Sequence, residues 1–252
     1  MKFDKIYILA INHNQKKLDD IIKRLSKLNV DGVTTYEVLN GHNGWDQPTP
    51  ENVNVYDKWG QLDSWNDFWK EDVQPGEVGC ALSHMLAWNK IIEDGVSNAL
   101  ILEEDFVPEL DLKNLEEPSK KWPYKWDYLN LGRYTFDRSD DIKINDTYCI
   151  PSLHYNMHAY VLTNIGAQKL LSYKLEKNII PVDEFITAAY MQHRRPDIEE
   201  IYPIKLINAL ATNKSWVSQS SNAETTTVSA HTKTFQNPDR ERLFRESAKE
   251  TK

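Results

Sequence analysis

The period of the apolar positions changes along the chain, and each change marks an element. Residues 5–11 are almost continuously apolar, which predicts a buried strand. Leu18, Ile21, Ile22, Leu25 and Leu28 then recur at intervals of three and four, the spacing of a helix with one apolar face. A second strand is predicted over 34–39, ending at Asn40-Gly41. This β-α-β opening asks for a parallel pair joined by a crossover helix. Val78, Ala81, Leu82, Met85, Trp88 and Ile92 trace another helix, from Pro75-Gly76-Glu77 to about Asp94, with Gly95 placed to end it. Strands follow at 99–102, 126–131 and 159–162, and Thr163 or Asn164 can cap the helix through Leu170 and Leu171. Pro181 precedes a short helix containing Asp183, Glu184, Phe185 and Ile186, and residues 201–206 read as a late strand.

Strands that alternate with helices predict an α/β fold, here one domain over 1–235. From Asn237-Pro238 the chain reads as a polar helical tail over 236–252, with Asn as N-cap and Pro in the first turn. Between the second strand and second helix, residues 41–76 carry Trp45, Trp59, Trp65 and Trp69. A segment of that length is either a binding loop or a stretch whose aromatic rings plug a satellite core.

Composition narrows the partners. The net charge of -8 disfavours non-specific nucleic-acid binding, whose affinity comes largely from Lys and Arg. The two cysteines, Cys80 and Cys149, make neither a disulfide framework nor a metal knuckle. No apolar run is long enough to span a membrane or to serve as a signal segment, so a cytoplasmic protein is expected.

Candidate chemistry lies where apolar runs meet polar clusters. Leu100, Ile101 and Leu102 run into Glu103, Glu104 and Asp105. Carboxylates at the carboxyl end of a strand are hard ligands suited to Mg²⁺ or Mn²⁺, and a cation would relieve their repulsion. The plain alternative is a solvated acidic turn. In the helix GEVGCALSH, Ser83 and His84 are polar groups on an apolar element and need partners, either in the core or toward a ligand cleft. Asp183 and Glu184 could supply a general base, or could merely complement a helix dipole. The first loop, Asn12-His13-Asn14-Gln15-Lys16-Lys17, leads into a helix N-terminus, but no glycine-rich dinucleotide or P-loop motif occurs.

In order along the chain, GEVGCALSHMLAWNKIIEDG (76–95), ALILEEDF (99–106), WDYLNLGR (126–133), HAYVLTNIGAQKLL (158–171) and PVDEF (181–185) resemble glycosyltransferase family 25. That family includes procollagen galactosyltransferases and bacterial lipopolysaccharide galactosyltransferases. The resemblance covers most of the chain and implies a GT-A type, Rossmann-like nucleotide-sugar transferase fold. It implies a mostly parallel central sheet with helices on both faces. It further implies a UDP-sugar donor, a Mn²⁺ or Mg²⁺ cofactor, and inverting transfer of a hexose, galactose or glucose. The acceptor would be a hydroxyl of a glycan or of hydroxylysine in a collagen-like protein.

Carried across by position, the resemblance makes Asp105 the first metal ligand and Glu103 the second, with Glu104 between them in the family's DxD-like acids. It makes Asp183 the base, with Glu184 as alternative. Ser83 and His84 would border the donor cleft, Asn40 and Gly41 stand where the family often has Asp-Gly, and Ala10, Asn12 and Asn14 follow the first strand where uridine would sit. Two departures stand out. The first loop lacks the family's arginines, and no His follows Tyr202-Pro203. A late metal ligand would then be sought at Asn208 or His231. The departures keep open a non-catalytic, carbohydrate-binding domain with a decayed site.

Overall fold

A computed structural model describes residues 1–30, 35–61, 67–120, 125–135 and 138–220. The expected tail over 236–252 and His231 lie outside the described residues, as do Thr34 and Trp65.

The elements run β1 (Lys5–Ala10), α1 (Gln15–Leu28), β2 (Tyr36–Asn40), α2 (Pro75–Glu93), β3 (Asn98–Glu103), β4 (Phe106–Pro108), β5 (Tyr128–Asn130), β6 (Ile142–Lys143), β7 (Tyr148–Ile150), β8 (Ala159–Thr163), α3 (Asn164–Ser172), α4 (Val182–Tyr190), α5 (Pro196–Ile201), β9 (Ala209–Thr212) and β10 (Val217–Gln219). Among the described residues, eight strands form one sheet in the order β2-β1-β3-β8-β5-β9-β7-β6, and β4 pairs with β10 in a small second sheet.

Period-two alternation sorts each central strand between two cores. Tyr7, Leu9, Ile101, Tyr160 and Leu162 face a layer with Trp88 of α2, Leu170 of α3 and Phe185 of α4. Ile6, Ile8, Leu100, Leu102 and Val161 face the other layer with Ile21 and Leu28 of α1.

The sheet is mixed, which corrects the expectation of a mostly parallel one. Pairs β1–β2, β1–β3 and β5–β9 are parallel, whereas β3–β8, β5–β8, β7–β9 and β6–β7 are antiparallel. The reversal is centred on β8. Its first four residues are buried, so its sequence is an apolar run that reads the same in either direction.

A second correction concerns residues 201–206. Pro203 cannot donate to a ladder. The Tyr173 hydroxyl instead donates to the Ile204 carbonyl (2.6 Å) and accepts from the Leu206 amide (2.8 Å). The late strand is β9, three residues further on, with all four residues buried.

Helix α2 is fixed firmly at its start. The Gln74 amide donates to the Glu77 carboxylate (2.7 Å), one half of a capping box, and Pro75 opens the first turn. The segment after β2 crosses this end of α2 backbone to backbone. A Cβ on Gly79 would lie 2.4 Å from the His42 carbonyl oxygen, so no larger residue fits without moving one chain off the other. Gly95 then takes φ +64 just past the helix, as its placement predicts.

Of the tryptophans in the long segment, Trp59 and Trp69 are buried and Trp45 is half exposed. Trp59 and Trp69 belong to the main core, not to a satellite.

Candidate active site

The carboxyl ends of β1, β2 and β3 lie along one sheet edge, since Leu9 is opposite Glu103 and Ala10 is opposite Asn40. The reversed β8 presents its amino end at the same edge, with Ala159 opposite Leu102. An open α/β sheet binds ligands beyond such an edge, and the three consecutive acids lie there with three different sets of partners.

Glu104 turns toward α1. Its carboxylate pairs with Lys17 (2.9 Å) and accepts from the Ile11 amide (3.2 Å), while Arg24 binds its carbonyl (2.6 Å). Lys17 also donates to the Ile11 carbonyl, so the pair staples the first loop to the acid turn.

Glu103, the last residue of β3, turns toward α2. Its Oε1 lies 3.2 Å from His84 Nε2 and 3.9 Å from Cys80 Sγ. On its other side His84 Nδ1 meets the Tyr160 hydroxyl (2.9 Å), which also accepts from Trp88 Nε1 (2.9 Å). A carboxylate only accepts, so the proton between His84 and Glu103 sits on Nε2. Burial would raise the Glu103 carboxyl, but the hydrogen bond and charge of His84 outweigh it and hold the group below its ordinary range.

Asp105 is buried, and its Oδ1 has no hydrogen-bond partner among the described residues. Burial, reinforced by the charge of Glu103, lifts its carboxyl to about 7. The β4–β10 pair holds this turn. Gln219 lies opposite Phe106 and reaches toward Glu103 Oε2 (3.5 Å), and the Ser220 amide donates to the Asp105 carbonyl. A buried carboxylate oxygen without a donor, beside a second carboxylate, is what a hard divalent cation would satisfy. The residues therefore fit the metal that the sequence resemblance implies.

Asp183 and Glu184 part company. Asp183 is half-buried in the first turn of α4, accepts from the Glu184 amide (2.9 Å), and is lifted to about 7 by burial and by the charge of Glu184. Glu184 is wholly buried, with Oε1 accepting from Trp69 Nε1 (2.8 Å) and Oε2 paired to His193 Nε2 (2.8 Å). Both of its oxygens are thus taken by the protein. The Cys80 thiol is pushed up first by burial and then by the charges of Glu103, Asp183, Glu77 and Asp105.

Other candidate residues hold the backbone of the rim. Ser83 donates to the Gly79 carbonyl and accepts from the His42 amide (2.9 Å), and a Cβ on Gly41 would lie 2.8 Å from its Oγ. The Ala10 carbonyl accepts from the Gly41 amide (2.8 Å), and Asn40 ends β2, exposed. Asn14 caps α1 by accepting from the Lys17 amide, and Asn12 takes φ 48 and donates to Asp46. Asn208 precedes β9 at the opposite edge of the sheet, with its amide on Asp127, which corrects its assignment as a late metal ligand.

Sequence reasoning missed Cys80 and His158. Cys80 and His84, four residues apart on one helix, share a face, and that spacing could have flagged them as a pair. The ligand atoms of Cys80, His84 and Glu103 all lie within 4.8 Å of one another, a set that could hold a metal ion. His158 donates from Nε2 to the Val217 carbonyl (3.0 Å), leaving Nδ1 buried without a partner among the described residues. No local pattern around His158 predicts its contact with Val217.

A family model described as "Glycosyltransferase family 25 (LPS biosynthesis protein)" matches residues 3–186. Procollagen galactosyltransferase 1 of Danio rerio is 30% identical over 148 residues, covering 54% of this chain and 24% of that protein. Inactive glycosyltransferase 25 family member 3 of Homo sapiens is 25% identical over 199 residues, 76% of this chain and 32% of that protein. Procollagen lysyl hydroxylase and glycosyltransferase of Acanthamoeba polyphaga mimivirus is 28% identical over 196 residues, 72% of this chain and 21% of that protein. The chain thus spans between a fifth and a third of the length of these curated relatives.

Proposed function

The chain belongs to glycosyltransferase family 25, and from that premise we propose that it is a metal-dependent, inverting hexosyltransferase of GT-A type. In this reading it moves galactose or glucose from a UDP-sugar to an acceptor hydroxyl. The observation that carries the reading is the buried Asp105 Oδ1, without a partner among the described residues, beside Glu103 at the strand-end rim; the half-buried Asp183, whose charge acts on the same Cys80 thiol as those two acids, supports it.

Asp105 and Glu103 would hold Mn²⁺ or Mg²⁺, which neutralises the charge developing on a diphosphate leaving group. Asp183 takes the proton from the acceptor hydroxyl as the oxygen attacks the anomeric carbon in line. Its carboxyl, raised to about 7, is basic enough to receive that proton and ionised in a useful fraction near neutral pH. Glu184 raises that carboxyl by its charge and is itself held by Trp69 and His193. Ser83 holds the segment after β2 against α2, so that Asn40 and Gly41 keep their place at the donor rim. The acceptor hydroxyl belongs to a glycan or to hydroxylysine; the names of the procollagen-modifying relatives support the second.

UDP with Mn²⁺ should raise the melting temperature by mass action, with stabilisation of about 2.7 kcal/mol at a hundredfold excess over Kd. Asp105→Asn should abolish that shift and lower turnover at least about a hundredfold. Normal metal-dependent turnover in Asp105→Asn would refute this placement of the cation.

A second reading, a binding domain with a decayed site, is supported by the human relative named inactive and by the first loop, which offers Asn12 and Asn14 in place of arginines. UDP binding without hydrolysis of any UDP-sugar would favour it.

A further inference from the structure

We propose that Cys80, His84 and Glu103 form a binding site for a soft or borderline divalent cation of the Zn²⁺ class, and that its occupancy withdraws Glu103 from Asp105. The site itself stands independently of the transferase reading; the competition for Glu103 rests on it.

The backbone brings the three together for reasons unrelated to any ion. Cys80 and His84 are one turn apart on α2, so their side chains project from the same strip of helix. Glu103 closes β3 on the face that packs against α2, two residues after the core residue Ile101. Tyr160 is opposite Ile101 on β8, and its hydroxyl fixes the imidazole from behind. Trp88, one further turn along α2, in turn fixes that hydroxyl. A ligating His is commonly held through its second nitrogen in this way, and here the holding groups are themselves buried.

The spacing suits a small tetrahedral ion. Metal–ligand bonds of about 2.0–2.3 Å place neighbouring ligand atoms roughly 3.3–3.6 Å apart. Here His84 Nε2 and Glu103 Oε1 are 3.2 Å apart, and Cys80 Sγ and Glu103 Oε1 are 3.9 Å apart. Shifts of a few tenths of an ångström in those two distances, with Cys80 Sγ and His84 Nε2 drawing together from within 4.8 Å, accommodate the ion, which would displace the His84–Glu103 hydrogen bond and take its place. Binding displaces the thiol proton and the His84 Nε2 proton, leaving a neutral imidazole with its proton on Nδ1, where the Tyr160 oxygen accepts it. One thiolate and one carboxylate then balance the two positive charges, so the partly buried site is neutral.

Donor type decides which metal prefers it. Thiolate and imidazole select Zn²⁺ and Co²⁺ over Mn²⁺ and Mg²⁺, whereas Asp105 with Glu103 offers oxygen alone. Glu103 belongs to both sets through one carboxylate, so the soft cation and the hard one compete for it.

Co²⁺ titrated into the full chain reads the site directly, because only a thiolate ligand gives a near-ultraviolet sulfur-to-cobalt charge-transfer band. The band should form in wild type, persist in Cys149→Ser and in Asp105→Asn, and vanish in Cys80→Ser. The chain has two cysteines, so persistence in Cys149→Ser assigns the band to Cys80 even if Cys80→Ser fails to fold. Absence of the band at excess Co²⁺, or its loss in Cys149→Ser, overturns the site. Zn²⁺ should lower Mn²⁺-dependent turnover of wild type at least tenfold, and undiminished turnover with the band present overturns the competition. No turnover with any UDP-sugar, in a protein that forms the band, would sink the transferase reading and leave the metal site standing.

Discussion

Glu184 has both carboxylate oxygens taken, by Trp69 and His193, while Asp183 one residue earlier accepts from a backbone amide and stays half-buried. The two should therefore respond in opposite ways to truncation. Glu184→Ala strands His193 and the Trp69 indole in the core and should cost about 3 kcal/mol in urea denaturation. Asp183→Asn keeps an acceptor for the Glu184 amide and should leave stability within about 1 kcal/mol while removing turnover. Equal stability losses in the pair would contradict the division of roles. Sequence alone could not separate such neighbours, nor the three acids before them. Glu103, Glu104 and Asp105 look alike in a string of letters. Their differences come from His84, Lys17 and Gln219, which lie 19, 87 and 114 positions away from the acids they distinguish, the last counted from Asp105.

At the scale of elements, the start of α2 and the long segment before it carry the next expectations. Burial lifts the Glu77 carboxyl from its ordinary 4.5 to about 8. A group raised in the folded state stabilises fully below its unfolded value, and that contribution is lost as pH rises through the folded one. Wild type should lose stability between about pH 4.5 and pH 8, by no more than roughly 1.4 kcal/mol per pH unit from this group. Glu77→Gln keeps the acceptor for Gln74 and removes the titration, so its melting temperature should fall less over that window. A wild-type curve that is flat, or one that Gln leaves unchanged, would refute the assignment. The long segment is anchored from α5. Arg195 is wholly buried, makes a forked pair with Asp197, donates to the Trp59 carbonyl (2.6 Å) and stacks over the Trp59 ring at 4.3 Å. Lysine offers neither the fork nor the plane, so Arg195→Lys should still cost about 2–3 kcal/mol, read as a lowered urea midpoint. The sequence marked α1, α2, α3 and α4 through their periodicity and caps. It misplaced the late strand because alternation in 201–206 pairs two exposed side chains, Ile204 and Leu206, on a stretch held by Tyr173.

Over the whole molecule, the apolar runs identified the central strands but not their directions. A strand buried on both faces carries no mark of its polarity, and β8 is inserted in reverse between β3 and β5. That insertion brings His158 and Tyr160 to the neighbourhood of Glu103, which is why the positioning residues of the rim were not legible while the acids were. The short β4, β6, β7 and β10 escaped notice for a different reason: at two or three residues each, they are too brief to show a period. Their smallness conceals one consequence for where this family can be cut and recombined. The family match stops at residue 186, yet Gln219 and Ser220 clasp the acid turn and Val217 supplies the carbonyl for His158. The inheritable module is longer than its signature. A chimera joined at 186 would import the acids without their clasp, and a chain stopped after Ser215 should fold less stably and lose the UDP–Mn²⁺ melting shift, although every residue of the recognisable motif remained.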